Sequence, residues 1–159
     1  MNTNDLCFFR LAKEDEFEAI YFIWHEGIKT TFADYEYPTD MKEQFWQNFS
    51  NRSGFFNFWI AESKGKLVGW CSILPMFLNP IKRAFNAEIS TYLDKRYSSN
   101  GIGQSLMRFV FNELKKSNIK VIYGFVNKSN LKSTQMALKS GMSVCGETSN
   151  KIIMIKEIQ

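Results

Sequence analysis

The segment Ser98-Ser99-Asn100-Gly101-Ile102-Gly103-Gln104-Ser105-Leu106 lies between a strand-like stretch at 87–93 and a helix-like one at 103–117. A strand, a turn with two glycines and a helix start together make a cradle for an anion. The first amides of a helix have no intrahelical acceptor and point outward with the positive end of the helix dipole. Glycine at 101 and 103 permits unusual backbone angles and leaves no Cβ between those amides and a ligand. Spacing excludes two familiar phosphate loops: the dinucleotide fingerprint would need glycine where Leu106 stands, and no Gly-Lys-Ser/Thr is present. A tight turn leading into a packed helix remains the alternative.

A second group that could do chemistry is Glu88. In the strand Ala87-Glu88-Ile89-Ser90-Thr91-Tyr92-Leu93, alternation puts Glu88, Ser90 and Tyr92 on one face and the small or aliphatic residues on the other. A carboxylate inside such a strand is costly unless it has a partner or a task. It reads as a lysine's ion-pair partner, as a surface group, or as a general base for an amine, whose ammonium form titrates near pH 10 and must lose a proton first. Lys82 and Arg83 precede it and could clamp a substrate carboxylate, or could simply be solvated.

Composition narrows the classes. A chain of 159 residues is long enough for a core, and with 45% hydrophobic and 16% aromatic residues it reads as one folded domain spanning 1–159. The three cysteines, Cys7, Cys71 and Cys145, are far apart and fit neither a disulfide framework nor a zinc knuckle, so a reducing, cytoplasmic setting is expected. The only histidine, His25, excludes clustered histidine metal sites, and no metal is expected. No apolar run is long enough for a membrane span, and residues 1–6 lack a signal-peptide pattern, so no membrane association is expected. The net charge of +4 is uneven. Residues 1–81 hold 7 basic and 11 acidic side chains, net −4, and residues 82–159 hold 13 and 5, net +8. The basic half carries the glycine turn, which suits a polyanionic ligand. Lys115, Lys116, Lys120, Lys128 and Lys132 read mostly as solvated edges.

The elements that would position these groups follow from periodicity. A strand is expected at 6–11, and Phe17, Ile20 or Tyr21, Trp24 and Ile28 recur at helical spacing over 14–27. After Pro38, Thr39 or Asp40 can cap a helix carrying Met41, Phe45 and Phe49, ending before Gly54. Strands at 55–61 and 66–74 flank a Lys64-Gly65 hairpin turn, and 75–84 reads as a loop with two prolines. The helix at 103–117 should bury Leu106, Phe109, Val110 and Leu114. A strand at 121–126, a helix from the Asn130 cap to Gly141, and a final pair made by Cys145 and 152–158 complete an α/β, mixed-sheet chain with helices on its faces.

The glycine motif resembles the coenzyme-A loop of the GNAT superfamily of acetyl-CoA-dependent N-acyltransferases, usually Arg/Gln-x-x-Gly-x-Gly/Ala. Gly101 and Gly103 match and Ser98 stands at the Arg/Gln position. Asn130, Ser133 and Gly141 match the family's Asn-x-x-Ser helix, while Ala137 occupies the position of its common Tyr or His acid. Glu88-x-Ser90-x-Tyr92 is similar to the phosphinothricin acetyltransferase branch, as are Trp24-His25-Glu26-Gly27-Ile28 with Thr31-Phe32, and Val68-Gly69-Trp70. The resemblance implies a GNAT-like fold with helices on both faces of a mixed, mostly antiparallel sheet. It implies acetyl-CoA as cofactor, held by the backbone of Thr91, Tyr92 and Leu93, by residues 98–105, and by Asn130 and Ser133. Glu88 would be the base, and a small amino-acid-like amine the substrate. With Ala137 in the acid's place, Tyr92, Tyr123 or a water would have to serve the departing thiolate.

Three readings follow. The first is an N-acetyltransferase passing an acetyl group directly to an amine near Glu88. The second is a non-catalytic acyl-CoA-binding protein, favoured by Ser98 and Ala137. The third is a nucleic-acid module; it lacks interleaved basic and aromatic residues on one strand, so no nucleic acid is expected. A homodimer is left open, as is the identity of the amine, whose cleft would be lined by loops near 28–38 and 75–86.

Overall fold

The computed structural model describes residues 7–159. Leu6, the first residue of the expected opening strand, and the rest of 1–6 lie outside the described residues. The strands are β1 (Cys7–Leu11), β2 (Phe58–Ser63), β3 (Lys66–Pro75), β4 (Asn86–Leu93), β5 (Val121–Asn127), β6 (Ser143–Glu147) and β7 (Lys151–Glu157). The helices are α1 (Phe17–Thr31), α2 (Met41–Ser50), α3 (Pro80–Phe85), α4 (Ile102–Leu114) and α5 (Leu131–Lys139). The sheet runs in the order β1-β2-β3-β4-β5-β7-β6, and only the β4·β5 pair is parallel. The expected mixed, mostly antiparallel sheet is therefore observed. Among the described residues no helix is long and apolar enough to cross a membrane.

Each face of the sheet carries its own core. On one face α1 and α2 bury Phe17, Ile20, Ile23, Phe45 and Phe49 against Phe58, Ile60 and Trp70. On the other, α4 buries Leu106, Met107, Val110, Phe111 and Leu114 against Cys71, Ile73, Ala87 and Ile122. The aromatic excess of the composition is spent on the first core, where Phe45 stands edge-on to Phe58 and Trp70 with ring centroids 5.9 Å away in each case. A register shift opposite Ala61 and Glu62 leaves Val68 as the extra residue of β3, so Leu67 and Trp70 both turn to the aromatic core while Val68 turns to the other.

Several boundaries differ from the periodicity. The first helix opens as a 3-10 turn at Glu14–Glu16 and continues through Gly27 to Thr31, because Gly27 is chosen for packing and does not end the helix. Asp40 stands at the start of α2 but does not cap it; its oxygen takes the Gln44 side-chain amide at 2.8 Å. The second strand begins only at Phe58, after a turn at Gly54. The proline loop contains α3, which Pro80 starts and the Asn79 side chain caps by accepting from the Ile81 and Lys82 amides at 3.1 and 3.2 Å. In α4, Phe109 is only half-buried, and Met107 and Phe111 take its place in the core. That helix ends at Leu114, not at 117.

α1 is fixed to the sheet by three interlocking contacts. The buried Trp70 indole Nε1 donates to the Ile20 carbonyl at 3.0 Å. Tyr92 stacks on Trp70 at 5.2 Å between centroids and 30° between planes. The Tyr92 ring also fills the space beside Gly27, where a Cβ would lie 2.5 Å from its Cδ1. Glycine inside a helix normally costs about 1 kcal/mol relative to alanine. Gly27→Ala should nevertheless destabilise the fold by roughly 1–3 kcal/mol, since the overpacked ring must leave its stack. Urea denaturation measures the sign, and a more stable variant would show that the ring yields freely.

Candidate active site

The site is made by a ladder that stops. β4 and β5 pair only through Asn86↔Val121, Ala87↔Ile122 and Glu88↔Tyr123, although β4 runs on to Leu93 and β5 to Asn127. Beyond that last pair the strands part, opening a crevice at the carboxyl ends of the two parallel strands, where ligands of α/β sheets characteristically bind. A cavity of about 690 Å³ occupies it. Glu88 lies at its vertex, Thr91, Tyr92 and Leu93 along one wall, and Gly124, Phe125, Val126 and Asn127 along the other. A second cavity of about 380 Å³, between the end of α4 and β7, shares no residue with the first.

The glycine turn closes one mouth. Gly101 has φ +77° and precedes α4, and Ser99 before it is also left-handed at +69°. The Ser105 amide is the first to be satisfied, by the Gly101 carbonyl at 3.0 Å, and the Ile102, Gly103 and Gln104 amides find no acceptor among the described residues. Gly103 works differently from the expectation. It lies within α4 with ordinary helical φ, and a Cβ there would lie 2.4 Å from Met136 Sδ and 3.2 Å from Leu93 Cδ1. Its bare Cα lets α5 approach the start of α4.

Of the residues expected in the cradle, Ser98, Ser99, Gly101, Gly103 and Gln104 line the cavity, as do Asn130 and Ser133. Asn100, Ile102 and Ser105 do not, and Ile102 is buried in the core below. Asn130 is partly occupied in its own helix cap, with Oδ1 accepting from the Ser133 amide at 3.1 Å. Ser98 turns its hydroxyl to the Lys95 carbonyl at 2.9 Å. Lys82 and Arg83 are exposed on α3 outside the cavity, with Lys82 Nζ 5.8 Å from the centre of the Phe77 ring. His25 stacks on Tyr21 and Tyr123 stands in β5, both outside the cavity.

Glu88 is half-buried, and among the described residues no cation pairs with its carboxylate and no side-chain or backbone donor bonds it. Burial raises its carboxyl above the ordinary glutamate value. Tyr92 is raised as well, chiefly by burial and slightly by the Glu88 charge, with Thr31 and Trp24 beside it pulling the other way. Cys71 is fully buried and pushed up to about 12, which makes it inert as a nucleophile. Ala137, with a methyl at the wall, has no proton to give.

The donor implied by the resemblance fits this arrangement. The edge of β4 beyond Glu88 is free of β5, so its backbone can bond an extended arm. Thr91 Oγ1 is buried at the wall with only the weak thiol donor of Cys71, its partner on β3, beside it, so it keeps hydrogen-bonding capacity that a ligand would use. Lys95, Lys132, Lys139 and Lys151 line the cavity, and among the described residues Glu88 is the only acid there. Only Lys132 of these was singled out in the sequence. The spacing of Lys132 and Lys139 on one helix face was readable; the approach of Lys95 and Lys151 was not. Thr30, Thr31 and Phe32, within the 28–38 stretch expected to line the substrate cleft, do line the cavity, no residue of 75–86 does, and Gly27 is a wall that the sequence reading did not include. The glycine inside a helical pattern was the available signal. Asn127 Nδ2 bonds the Thr31 carbonyl and Lys151 Nζ lies 4.8 Å over the Phe32 ring, which ties α1 across the crevice.

A model of the acetyltransferase (GNAT) family matches residues 13–142. A Bacillus subtilis (strain 168) protein named as a candidate phosphinothricin acetyltransferase is 26% identical over 142 residues, covering 86% of this chain and 84% of its own. A candidate acetyltransferase structure from Acinetobacter baylyi ADP1 superposes with a TM-score of 0.83 at 23% identity, over 96% of this chain and 93% of its own. A phosphinothricin acetyltransferase of the GNAT superfamily from Sinorhizobium meliloti, solved in complex with acetyl-CoA, gives 0.82 at 18% identity over 96% and 89%. The fold likeness is the GNAT fold expected from the sequence.

The unpaired carboxylate has a stability consequence. Because burial raises the folded-state pKa of Glu88 above the unfolded one, its ionised form opposes folding. The associated stability is fully present below the ordinary glutamate pKa and is lost as pH rises through the folded-state value. Glu88→Gln should therefore be more stable than the parent at pH 7, with the gap closing as pH falls below about 4. Urea denaturation at both pH values checks this; a less stable variant at pH 7 would mean that the carboxylate has a favourable partner.

Proposed function

The chain belongs to the acetyltransferase (GNAT) family, whose acyl donor is acetyl-CoA, and we propose that it transfers the acetyl group directly to the primary amine of a small molecule, an amino acid or analogue. The observation that carries this reading is the half-buried Glu88, without a partner, at the vertex where β4 and β5 part. When bound, acetyl-CoA supplies a thioester whose C–S bond breaks as a C–N bond to the amine forms, leaving the coenzyme as a thiol and releasing the amine's proton.

This chain's residues have separate tasks in that reading, within one domain over 1–159. Glu88 takes the amine's proton; its raised pKa brings it closer to the operating pH and makes it a better acceptor than a solvated carboxylate. The Thr91, Tyr92 and Leu93 backbone and the Thr91 hydroxyl hold the arm of the donor, and the amides of 102–104 take its phosphates. Asn130, Ser133 and the lysines of the mouth complete that half. Thr31 and Phe32, on the Glu88 face, border the amine. With Ala137 at the wall the thiolate leaves without a phenol donor, which a thiol, far more acidic than an alcohol, allows. The methyl of Ala137 also supports the reading as an acyl-CoA-binding protein without turnover, and a thiol-release assay over amino acids, polyamines and peptides separates the two.

Glu88→Gln should lower turnover by a hundredfold to ten-thousandfold, on the order of a general-base loss, while leaving coenzyme-A binding nearly intact. The defect should shrink as pH rises toward the pKa of the amine. Wild-type turnover in the variant at neutral pH would overturn the assignment of the base. Coenzyme-A affinity, followed by calorimetry, should weaken as ionic strength rises, because the lysines of the mouth are screened. Affinity indifferent to salt would remove them from the donor site.

A further inference from the structure

The two sides of the sheet divide the charges that line the cavity. Asn127 of β5 and Lys151 of β7 are opposite each other in an antiparallel ladder and so point to the same face. That face is the one under α1: Asn127 Nδ2 bonds the Thr31 carbonyl, and Lys151 Nζ lies 4.8 Å from the centre of the Phe32 ring. Glu88 points the same way, since Ala87 and Ile89 on either side of it belong to the core under α4, while Tyr92 packs with Trp70 under α1. Lys132 and Lys139 stand on α5 instead, whose Ala137 belongs to the core of α4. Lys151 is held in place. Its amide donates to Thr148 Oγ1 at 3.0 Å, its carbonyl accepts from the Thr148 amide at 2.9 Å, and its half-buried side chain carries the ammonium over Phe32. Among the described residues no carboxylate pairs with it.

We propose that Lys151 selects the acceptor, by pairing with a carboxylate at the far end of a short chain from the amine that Glu88 receives. The proposal rests on the acetyltransferase reading given above and deepens it by naming the acceptor's charge and the residue that reads it. Lys82 and Arg83, the cations expected to clamp a substrate carboxylate, stand outside the cavity on α3, so an anionic acceptor needs its cation elsewhere. Register sets the spacing. Glu88 is level with Tyr123, and Lys151 with Asn127, four residues further along β5, so their backbone positions lie roughly 13 Å apart along the strand. A carboxylate at the end of a short chain spans that gap better than one two bonds from the nitrogen. Phe125 stands midway on the same face, is 41% exposed and lines the cavity. An acid, an aromatic face and a cation in succession complement an amine, a few methylenes and a carboxylate.

Rates of the full chain with acetyl-CoA test this over the ω-amino carboxylates from glycine to 6-aminohexanoate and over glutamate, each paired with the amide of its terminal carboxylate. In the pairs longer than glycine the carboxylate should be preferred about tenfold in kcat/KM, on the order of one charge-assisted hydrogen bond. Lys151→Met should erase that ratio, Lys151→Glu should reverse it in favour of the amide, and Lys151→Arg should keep it. A ratio within a pair cancels any loss of folded protein, so a merely structural role would not give this pattern. Calorimetry should find coenzyme A bound to Lys151→Met as to the parent; an affinity lower by about tenfold would assign the lysine to the donor and overturn the proposal. Equal rates within the pairs, a preference confined to glycine, or one that survives Lys151→Met would also overturn it, while leaving the acetyltransferase reading intact. Absence of turnover with every member would overturn the reading of the acceptor as a small amino acid, and the proposal with it.

Discussion

The structure depends on one interruption of hydrogen bonding. β4 and β5 are parallel neighbours for three residue pairs and then separate, although both continue as strands. Unpaired backbone groups inside a protein are costly, so such an opening persists only where its flanks are secure and the exposed edge is wetted or liganded. Here β4 is held along its length by β3, from Pro75↔Ala87 to Gly69↔Leu93, and β5 by β7, from Val121↔Glu157 to Asn127↔Lys151. The two halves of the sheet are thus each complete, and the crevice lies between them. The catalytic candidate, the free β4 edge and the unsatisfied amides of α4 all face that opening.

The α1 side of the crevice is set by aromatic packing. Trp70 reaches the Ile20 carbonyl, Tyr92 stacks on Trp70, and Gly27 makes room for the Tyr92 ring. This lock fixes the rotation of α1 and therefore where Thr31 and Phe32 meet Asn127 and Lys151. Tyr92 belongs at once to the core and to the cavity wall. That double membership argues against a mobile phenol acting as acid at the thiolate, and agrees with a reaction in which the thiolate leaves unaided.

Electrostatics divide the same cavity. Lys95 from the turn after β4 and Lys132 and Lys139 from α5 gather at the mouth around the amides of α4, a suitable field for a polyanion, with Lys151 from β7 on the α1 side. Glu88 alone carries negative charge, deeper in and away from them, so it stays unpaired and its pKa rises. An ion pair with one of the lysines would instead have lowered it and weakened it as a base.

The sequence by itself determined what local rules govern: the Lys64-Gly65 hairpin, the Asn130 cap, Gly141 after α5, the glycine turn before α4, and the facing of Glu88, Ser90 and Tyr92 by strand alternation. Those features depend on φ, on a cap's own hydrogen bond, or on a period of two, all written within a few residues. Some local signals misled for equally physical reasons. Gly27 looked like a helix end because the partner that requires its bare Cα, Tyr92, is far along the chain. The bare Cα of Gly103 looked like clearance for an anion, whereas the space its missing Cβ leaves is taken by Met136. Only the tertiary structure decided that β4 and β5 part after Glu88, that Lys95 and Lys151 join Lys132 and Lys139, and that Lys82 and Arg83 stand outside. Each of these is a meeting of residues distant in sequence, and strand pairing and packing across a sheet, rather than any local propensity, bring them together.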